Sequence, residues 1–386
     1  MSDNELTLAS IDPPEVTHSE GAGKQVPDAA PSEADTVLEL VDVTKQYGPE
    51  RAVEDLSLAV RKGELLTLLG PSGCGKTTTL RLLAGLEPPT TGEIRLGERV
   101  VAGNGDYLQP EERGVGVVFQ DFALFPHLSV EENIGFGLDD WSADDRAARV
   151  DEMVELVGLK DHRTKAPDQL SGGQRQRVAL ARSLAPEPSI LLLDEPFSNL
   201  DVRLRVEMRE EVRRILKEAG VTAISVTHDQ EEALSISDRV AVLRDGRLEQ
   251  VGRPEAVFEH PASRFVASFL GLASFLSAQI RGGTFRTPLG TFDTDRLQGL
   301  SPEYDGADVD VLVRPDDLRA HPASVEDANG RIVYRQYTGP NFVYRVELGN
   351  GDIVNCAHNH VEEFDLDQSV RVELAADHSL AWYPSR

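Results

Sequence analysis

Lysine, cysteine and long apolar runs are all scarce in this 386-residue chain. Seven residues are lysine, so the remainder of the 39 basic residues are arginine, and 66 acidic residues give a net charge of −27. A surface with this charge repels the phosphates of nucleic acids and of anionic lipids, which argues against nucleic acid as a partner. We expect such a composition in a protein from a high-salt cell, where ions screen the repulsion between its own carboxylates.

The chain has two cysteines, Cys74 and Cys356. Cys74 lies inside a glycine-rich loop, where a disulfide would obstruct a ligand, so we expect a reduced, cytoplasmic protein. The sequence contains no apolar run of about 18 residues and no signal peptide. It therefore predicts a protein that does not cross a membrane by itself.

The most specific motif is a loop that fits the phosphate-binding pattern GxxxxGK[ST]. The members of this loop are Gly70, Pro71, Ser72, Gly73, Cys74, Gly75, Lys76 and Thr77, and Thr78 follows them. Residues 64–69 read as a buried strand and residues 78–84 as a helix, which is the context that the motif requires. The glycines let several N–H groups point at one spot, and the helix terminus adds partial positive charge. Lys76 would then reach the terminal phosphates and the Thr77 hydroxyl would bind Mg²⁺. The alternative, a chance glycine-rich turn, is rare in this context.

Acidic and basic side chains follow two further apolar strands. The strand at 190–195 ends in Asp194 and Glu195, and an apolar strand belongs in the middle of a parallel sheet. Carboxylates at that edge, beside a phosphate loop, suit Mg²⁺ binding and activation of water. His228 follows the strand at 221–227. We expect this strand beside the one that ends in the two acids, so His228 would share their sheet edge and could contact a γ-phosphate. Tyr47, between the first two predicted strands, is either a packing residue or a ring that stacks on a purine.

A second glycine-containing helix start lies at Leu170–Gln174, ahead of a helix at 175–184. Ser171 is predicted to be its N-cap, and Gly172 and Gly173 leave N–H groups open to an anion. The alternative is an ordinary helix start that contains glycine. Gln120 ends an apolar strand at 114–119, and Asp201 ends a turn that leads into a charged helix reaching about residue 220.

The pattern divides the chain into three parts. Residues 1–36 are predicted to be a disordered acidic tail, residues 37–270 an α/β domain with a helical insertion at about 121–170, and residues 271–386 a small β barrel or sandwich. The α/β part is predicted to end in one helix over 254–269. In the β-rich part, Cys356, His358 and His360 suggest a metal site, but we interpret them as ordinary loop residues because no second cluster accompanies them.

In this order, the motifs resemble those of the nucleotide-binding subunit of ABC transporters. Gln120 resembles the family's Q-loop glutamine, and residues 170–174 resemble its signature. Asp194 and Glu195 resemble the end of the Walker B strand, and Ser198-Asn199-Leu200-Asp201 resembles the D-loop. His228 resembles the switch histidine, and Tyr47 resembles the aromatic residue that stacks on adenine. Asn199 stands where alanine is commoner. The resemblance covers about residues 37–270. The β-rich part resembles the TOBE domain of importer ATPases. The implied fold is a P-loop NTPase of the α/β class, with a RecA-like core and antiparallel β and helical subdomains, followed by a small all-β, OB-like domain.

The resemblance also implies a mechanism and partners. Two copies would pair head to tail and hold two ATP molecules, each between the phosphate loop of one copy and residues 171–174 of the other, with Asp201 nearby. Glu195 would be the general base, His228 would position the γ-phosphate and Lys76 would neutralise charge. Thr77, Gln120 and Asp194 would hold Mg²⁺. Integral permease subunits and, indirectly, an extracellular solute-binding protein are the implied partners, at the cytoplasmic face of the cell membrane.

Finer details of the resemblance concern the transported solute and the permease. Residues 118–127 and 197–205 favour the iron(III) branch of importers, with polyamine, sugar, sulfate or molybdate, and thiamine importers as alternatives. A soluble ABC ATPase of DNA repair or translation is less favoured, because such proteins usually carry tandem cassettes or long coiled coils. Phe122, Leu124 and Phe125 either receive a short permease helix or belong to the helical core.

Overall fold

The computed structural model describes residues 35–103 and 105–385, so the predicted tail lies outside the described residues except for its last two positions. The strands are β1 (Thr36–Tyr47), β2 (Glu50–Arg61), β3 (Leu65–Leu69), β4 (Thr91–Leu96), β5 (Arg99–Gly103), β6 (Asp106–Tyr107), β7 (Val115–Val118), β8 (Ile190–Asp194), β9 (Thr222–Thr227), β10 (Arg239–Arg244), β11 (Arg247–Gly252), β12 (Ser274–Arg281), β13 (Thr284–Thr287), β14 (Gly290–Asp293), β15 (Asp308–Val313), β16 (Leu318–Pro322), β17 (Gly330–Tyr337), β18 (Asn341–Leu348), β19 (Ile353–Asn359), β20 (Ser369–Leu374) and β21 (Trp382–Pro384). The α-helices are α1 (Lys76–Ala84), α2 (Val130–Ile134), α3 (Ala143–Leu156), α4 (Gly172–Leu184), α5 (Val202–Ala219), α6 (Gln230–Ile236), α7 (Pro254–Glu259) and α8 (Arg264–Phe269).

The central sheet has the order β11-β10-β3-β9-β8-β7, and all its pairs except β10–β11 are parallel. Strands β3 and β9 are buried along their whole length, as expected for parallel strands covered on both faces. Because β3, β9 and β8 are neighbours, the segments that follow them meet at one edge of the sheet.

An antiparallel sheet of order β2-β1-β4-β5-β6 packs beside the central sheet. Leu38 and Leu40 of β1 share a buried cluster with Leu66 and Leu68 of β3. Gly103 and Gly105 predict a loop after β4, but β5 and β6 form there, so that prediction is wrong. Both strands are too short to show an alternating pattern, and pairing with β4 determines them.

The helical section consists of α2, α3 and the start of α4, joined by one apolar core. Ser129 and Ser142 cap α2 and α3 by accepting hydrogen bonds from backbone N–H groups.

The predicted single helix over 254–269 is wrong. The chain leaves the helix at His260, Pro261 lacks the N–H that a helix interior needs, and Ser263 begins a separate helix, α8.

The C-terminal part contains two antiparallel sheets, β14-β13-β12-β15-β21 and β16-β20-β17-β18-β19, around a common core. The interpretation of Cys356 and His358 as loop residues is wrong, because both are buried within β19. His358 Nε2 accepts the Ala320 N–H at 3.1 Å and its Nδ1 lies beside the Glu362 carboxylate. Within residues 35–103 and 105–385, no group of three or more His, Cys, Asp or Glu is arranged to hold a metal.

Two polar anchors join the C-terminal sheets to α7 and α8. Arg314 donates to the Phe258 carbonyl at 2.8 Å while its guanidinium lies 3.6 Å from the ring centroid of the same residue. The Tyr383 hydroxyl donates to the Pro261 carbonyl at 2.9 Å. Among the helices that the structure describes, none has the length and apolar character to span a bilayer.

Candidate functional site

The phosphate loop joins β3 to α1 and needs glycine at two close approaches. Gly75 has φ +100° and caps α1, and a Cβ on it would lie 2.3 Å from the Ala52 carbonyl oxygen. A Cβ on Gly70 would lie 2.4 Å from the Leu243 carbonyl oxygen. Any side chain at either position would therefore push the loop away from its neighbouring strands.

Lys76 lies inside this loop. It is buried, and its Nζ donates to the carbonyl oxygens of Gly70 at 2.6 Å and of Pro71 at 2.9 Å. The Thr77 side chain is exposed immediately beyond it. Cys74 is a free thiol, and burial raises its pKa, which keeps it neutral next to the lysine. The loop therefore concentrates one positive charge among backbone dipoles.

Two acids end β8. Burial raises the pKa of Asp194, and the neighbouring Glu195 carboxylate raises it further. Glu195 has φ +43°, a left-handed conformation that costs a non-glycine residue of order 1–3 kcal/mol. Its N–H donates to the Val226 carbonyl at 3.1 Å, which fixes the turn against β9.

His228 follows β9 and meets Glu195. Its Nδ1 lies 3.1 Å from Glu195 Oε1, and 59% of its side chain remains exposed. The next residue, Asp229, caps α6 and accepts from Arg209 at 2.8 Å. As predicted, the two strand ends bring an acid and a histidine together at the same sheet edge.

Sequence reasoning missed a buried acid behind this pair. Glu232 is 3% exposed, and its Oε2 accepts from the Thr227 hydroxyl at 2.8 Å, whereas its Oε1 has no hydrogen-bond partner among the described residues. Burial raises the pKa of Glu232 to about 8. The spacing from Asp229 to Glu232 is that of a helix N-cap and its third residue, a signal that could have found it.

Tyr47 is the last residue of β1, so its predicted position between the first two strands is wrong. The side chain is 41% exposed, and its hydroxyl donates to the Glu87 carboxylate. Burial raises the pKa of Tyr47, and Glu87 adds to the shift. Lys45 Nζ lies 5.0 Å from the ring centroid. Thr78 of α1 lowers this pKa, so the hydroxyl lies near the helix that follows the phosphate loop.

Gln120 and Asp201 lie in loops that follow β7 and β8. The Gln120 side chain is exposed, and its backbone carbonyl accepts from Asn199 Nδ2 at 2.7 Å. Asp201 Oδ1 accepts the Leu204 N–H at 3.0 Å, so this carboxylate caps α5. The contact of Asn199 could not be read from the sequence, because it joins residues 79 positions apart.

The signature residues form the N-terminus of α4. Ser171 Oγ accepts the Gln174 N–H at 3.3 Å, and Gln174 Oε1 accepts the Ser171 N–H at 2.9 Å. Gln174 Nε2 lies 2.9 Å from His162 Nε2, so its amide is engaged within its own chain. A Cβ on Gly173 would lie 2.9 Å from Met208 Sδ, so this glycine also permits close packing on α5. In the described part of the chain, no hydrogen bond joins residues 171–174 to the phosphate loop.

Aromatic residues lie along the segment after Gln120. Phe122 is buried in the helical core, which excludes it as a docking residue. Leu124 packs partly against that core. The ring centroids of Phe125 and Phe136 lie 4.1 Å apart, and Phe136 is half-exposed. Phe136 was not identified from the sequence.

A phosphate loop with acids and a histidine at the carboxyl edge of a parallel sheet defines a P-loop nucleotide-binding protein. Comparisons with known proteins narrow this class. Residues 53–198 match the family described as ABC transporter, and residues 311–382 match the TOBE domain.

Curated relatives align over most of the chain. A spermidine/putrescine import ATP-binding protein of Methylococcus capsulatus is 48% identical over 79% of this chain and 80% of its own length. An Fe(3+) ions import ATP-binding protein of Rhizobium etli is 42% identical over 86% of this chain and 93% of its own length. The fold is also similar to a solved structure of cbiO1 from Clostridium perfringens, which is part of the ABC transporter complex cbiONQ. The two chains align with a TM-score of 0.53 and 30% identity, over 58% of this chain and 90% of cbiO1.

The chain belongs to the ABC transporter family, as the ATP-binding subunit of an importer with a C-terminal TOBE domain. This confirms the predicted family, the α/β P-loop fold with an all-β C-terminal domain, and the ATPase class.

Proposed function

We propose that two copies of this chain hydrolyse ATP as a head-to-tail pair and thereby drive import of a cationic solute through a membrane permease. The contact between Glu195 and His228, at the sheet edge beside the phosphate loop, is the observation that carries this proposal. A carboxylate and an imidazole at that position can handle the proton of an attacking water and the charge of a γ-phosphate.

Each residue at the edge has a separate task. Glu195 is the general base, and the His228 Nδ1–H holds its carboxylate in position, while the exposed part of the ring is the part that would contact the γ-phosphate. The Lys76 ammonium exchanges its loop carbonyls for phosphate oxygens and neutralises the charge that develops on them. Tyr47 presents its exposed ring to the adenine.

The residues predicted to hold Mg²⁺ fit a hard cation. They offer a carboxylate (Asp194), a hydroxyl (Thr77) and an amide oxygen (Gln120), and oxygen ligands of this kind suit Mg²⁺, which also retains waters. The raised pKa of Asp194 reflects a buried carboxylate with too little positive charge around it. When bound, the ion would supply positive charge to the terminal phosphates.

The signature end of α4 is the second half of each ATP site, contributed by the other copy. Its glycine N–H groups and helix dipole suit a phosphate. The half-exposed pair Phe125 and Phe136 receives a short helix of the permease. The proposal also includes a location at the cytoplasmic face of the cell membrane, with an extracellular solute-binding protein as the indirect partner.

The solute is iron(III) or a polyamine. The stretches around Gln120 and Asp201 favour the iron(III) branch, whereas relatives named as spermidine/putrescine import proteins favour a polyamine. Both solutes are cations, and the permease and the binding protein, rather than this chain, would select between them.

Purification of the tagged chain from native membranes, in high salt, tests this function. We expect permease subunits and a solute-binding protein to accompany it, and uptake of either radiolabelled iron(III) or radiolabelled spermidine to fail in cells with Glu195→Gln. Recovery from the soluble fraction alone, or with ribosomes or repair proteins, would leave only the ATPase.

A further inference from the structure

The segment after β7 holds an unfavourable backbone conformation. Phe122 and Ala123 are consecutive non-glycine residues with φ +64° and +44°. Arg182 of α4 donates to the Phe122 carbonyl at 3.0 Å and to the Ala123 carbonyl at 2.7 Å, and Asn199 donates to the Gln120 carbonyl at 2.7 Å. Left-handed L-residues persist only where the surroundings determine them, so these side chains have a positioning task.

Gln120 lies just beyond the paired end of β7, where Asn199 contacts its carbonyl. Strand β7 is the edge of the central sheet and pairs only with β8, and their last paired residues are Val118 and Leu193. Beyond that point the sheet no longer fixes the chain. The Asn199 amide, in the loop after β8, supplies one more cross-link between the two strand ends, two residues past the last pair.

The identity of residue 199 matters because the contact requires a side-chain donor. Alanine, the commoner residue at this position of the resembling motif, has none. Asn199 is exposed and makes this contact without any role in the buried core. Its amide therefore ties the loop that carries Asp201 to the loop that carries Gln120.

We propose that Asn199 is a positioning residue that holds Gln120 where its side chain can reach Mg²⁺. The inference rests on the proposed function, in which Gln120 is a metal ligand. Supporting residues behind a ligand typically change metal affinity or activity by roughly 10–100-fold when removed. The phosphate loop is built separately on β3, so ATP binding without metal should not depend on Asn199.

The test compares Asn199→Ala and Asn199→Leu with Asn350→Ala in the full chain. Asn199→Leu keeps the approximate size and branching of the side chain and removes the donor without adding a charge. Asn350→Ala removes an exposed amide of a distant turn, which bonds Asp352 at 2.8 Å. Hydrogen exchange of residues 119–125 without nucleotide gives a readout that is independent of hydrolysis, since the Phe122 N–H donates to the Phe119 carbonyl in this segment.

In both Asn199 variants, the backbone amides of residues 119–125 alone should exchange hydrogen faster than in wild type. Both variants should need roughly 10-fold more Mg²⁺ for half-maximal hydrolysis. ATP binding without metal and the melting temperature should stay unchanged. Exchange or Mg²⁺ dependence equal to wild type and to Asn350→Ala would overturn the proposal. A general fall in melting temperature with weaker ATP binding would also overturn it, because that is a structural role. If the wild-type chain does not hydrolyse ATP, the proposed function fails, while the exchange result still decides whether Asn199 holds the segment.

Discussion

The two parts of the molecule that are suited to phosphate are built in different ways. At the carboxyl edge of the central sheet, groups from three strands meet, namely the phosphate loop, Glu195 and His228. At the start of α4, Ser171 and Gln174 satisfy one another, and the helix terminus offers backbone N–H groups. The sheet edge therefore contains reacting groups, whereas residues 171–174 at the start of α4 supply a polarised helix terminus.

This difference supports the proposal that the N-terminus of α4 completes an ATP site rather than forming one. Residues 171–174 themselves include neither an acid nor a base, and Gly173 is also constrained by packing against α5. In a symmetric pair, such an end can serve the reacting end of the other copy. Variants of the sheet edge should then remove chemistry, whereas variants of the signature end should remove the second half of the site.

The largest effect is expected from Glu195→Gln. The amide keeps the size of the side chain and cannot accept the water's proton, so hydrolysis should fall by roughly 10²–10⁴-fold. ATP binding should be retained because the phosphate loop is untouched. Steady-state hydrolysis and equilibrium binding of ATP measure the two quantities. Glu255→Gln, an exposed acid of α7, is the matched control. A hydrolysis rate near wild type would remove Glu195 from the role of base.

A smaller loss is expected from Ser171→Asp. Aspartate is a good N-cap, so α4 should stay intact while a negative charge enters the phosphate-facing end. Hydrolysis should fall by roughly 10²–10³-fold, the range for removing one stabilising group of a developing anion. The melting temperature shows whether the cap is preserved. A rate equal to wild type would mean that this end does not face a phosphate.

A mixture of two inactive variants tests whether the sheet edge of one copy works with the signature residues of the other. Lys76→Ala and Ser171→Asp should each be nearly inactive alone, yet a mixed head-to-tail pair contains one intact site. Random pairing at equal amounts should restore about a quarter of the wild-type rate if the two sites act independently. A mixture that stays as inactive as its components would argue against sites shared between copies.

The buried acid behind the reacting pair predicts a dependence of stability on pH. Burial raises the pKa of Glu232 from 4.5 to about 8, so the folded chain keeps a proton that the unfolded chain has lost. The contribution of this group is fully present below about pH 4.5 and is lost as pH rises to about 8. Glu232→Gln should remove this loss and become more stable than wild type, by a few kcal/mol near pH 8.

Denaturant unfolding of Glu232→Gln and wild type from pH 5 to 9 measures this difference. Asp229, Glu195 and Arg209 also act on Glu232, so the difference between the two proteins is more informative than either curve. Glu231→Gln changes an exposed acid on the same helix and should show no such trend. A difference that is flat across this range would mean that Glu232 is ionised in the folded chain.

Contiguous motifs were predictable from the sequence. The phosphate loop is local, since its glycines, lysine and flanking elements lie within one short stretch. That Glu195 and His228 would lie together followed from a general property of parallel sheets, whose strand ends share an edge.

Contacts set by register were not predictable. The Asn199 contact depends on how β7 and β8 end relative to each other. In the C-terminal part, β15 pairs with β12 on one side and β21 on the other, and no local pattern specifies partners so far apart. The break at Pro261 was missed because the apolar spacing continues through it.

The smallest effects are expected from removing single helix caps, which distinguishes a role of Ser171 in stability from a role in hydrolysis. Ser171→Ala and Ser142→Ala each remove an N-cap whose hydroxyl accepts a backbone N–H, at 3.3 Å and 3.2 Å. Each should lower the free energy of unfolding by about 1 kcal/mol. Only Ser171→Ala should also slow hydrolysis, because Ser142 caps a helix away from the sheet edge. Equal stability losses with equal hydrolysis rates would mean that Ser171 acts only as a cap, and the comparison between the two ends would then rest on the glycine N–H groups alone.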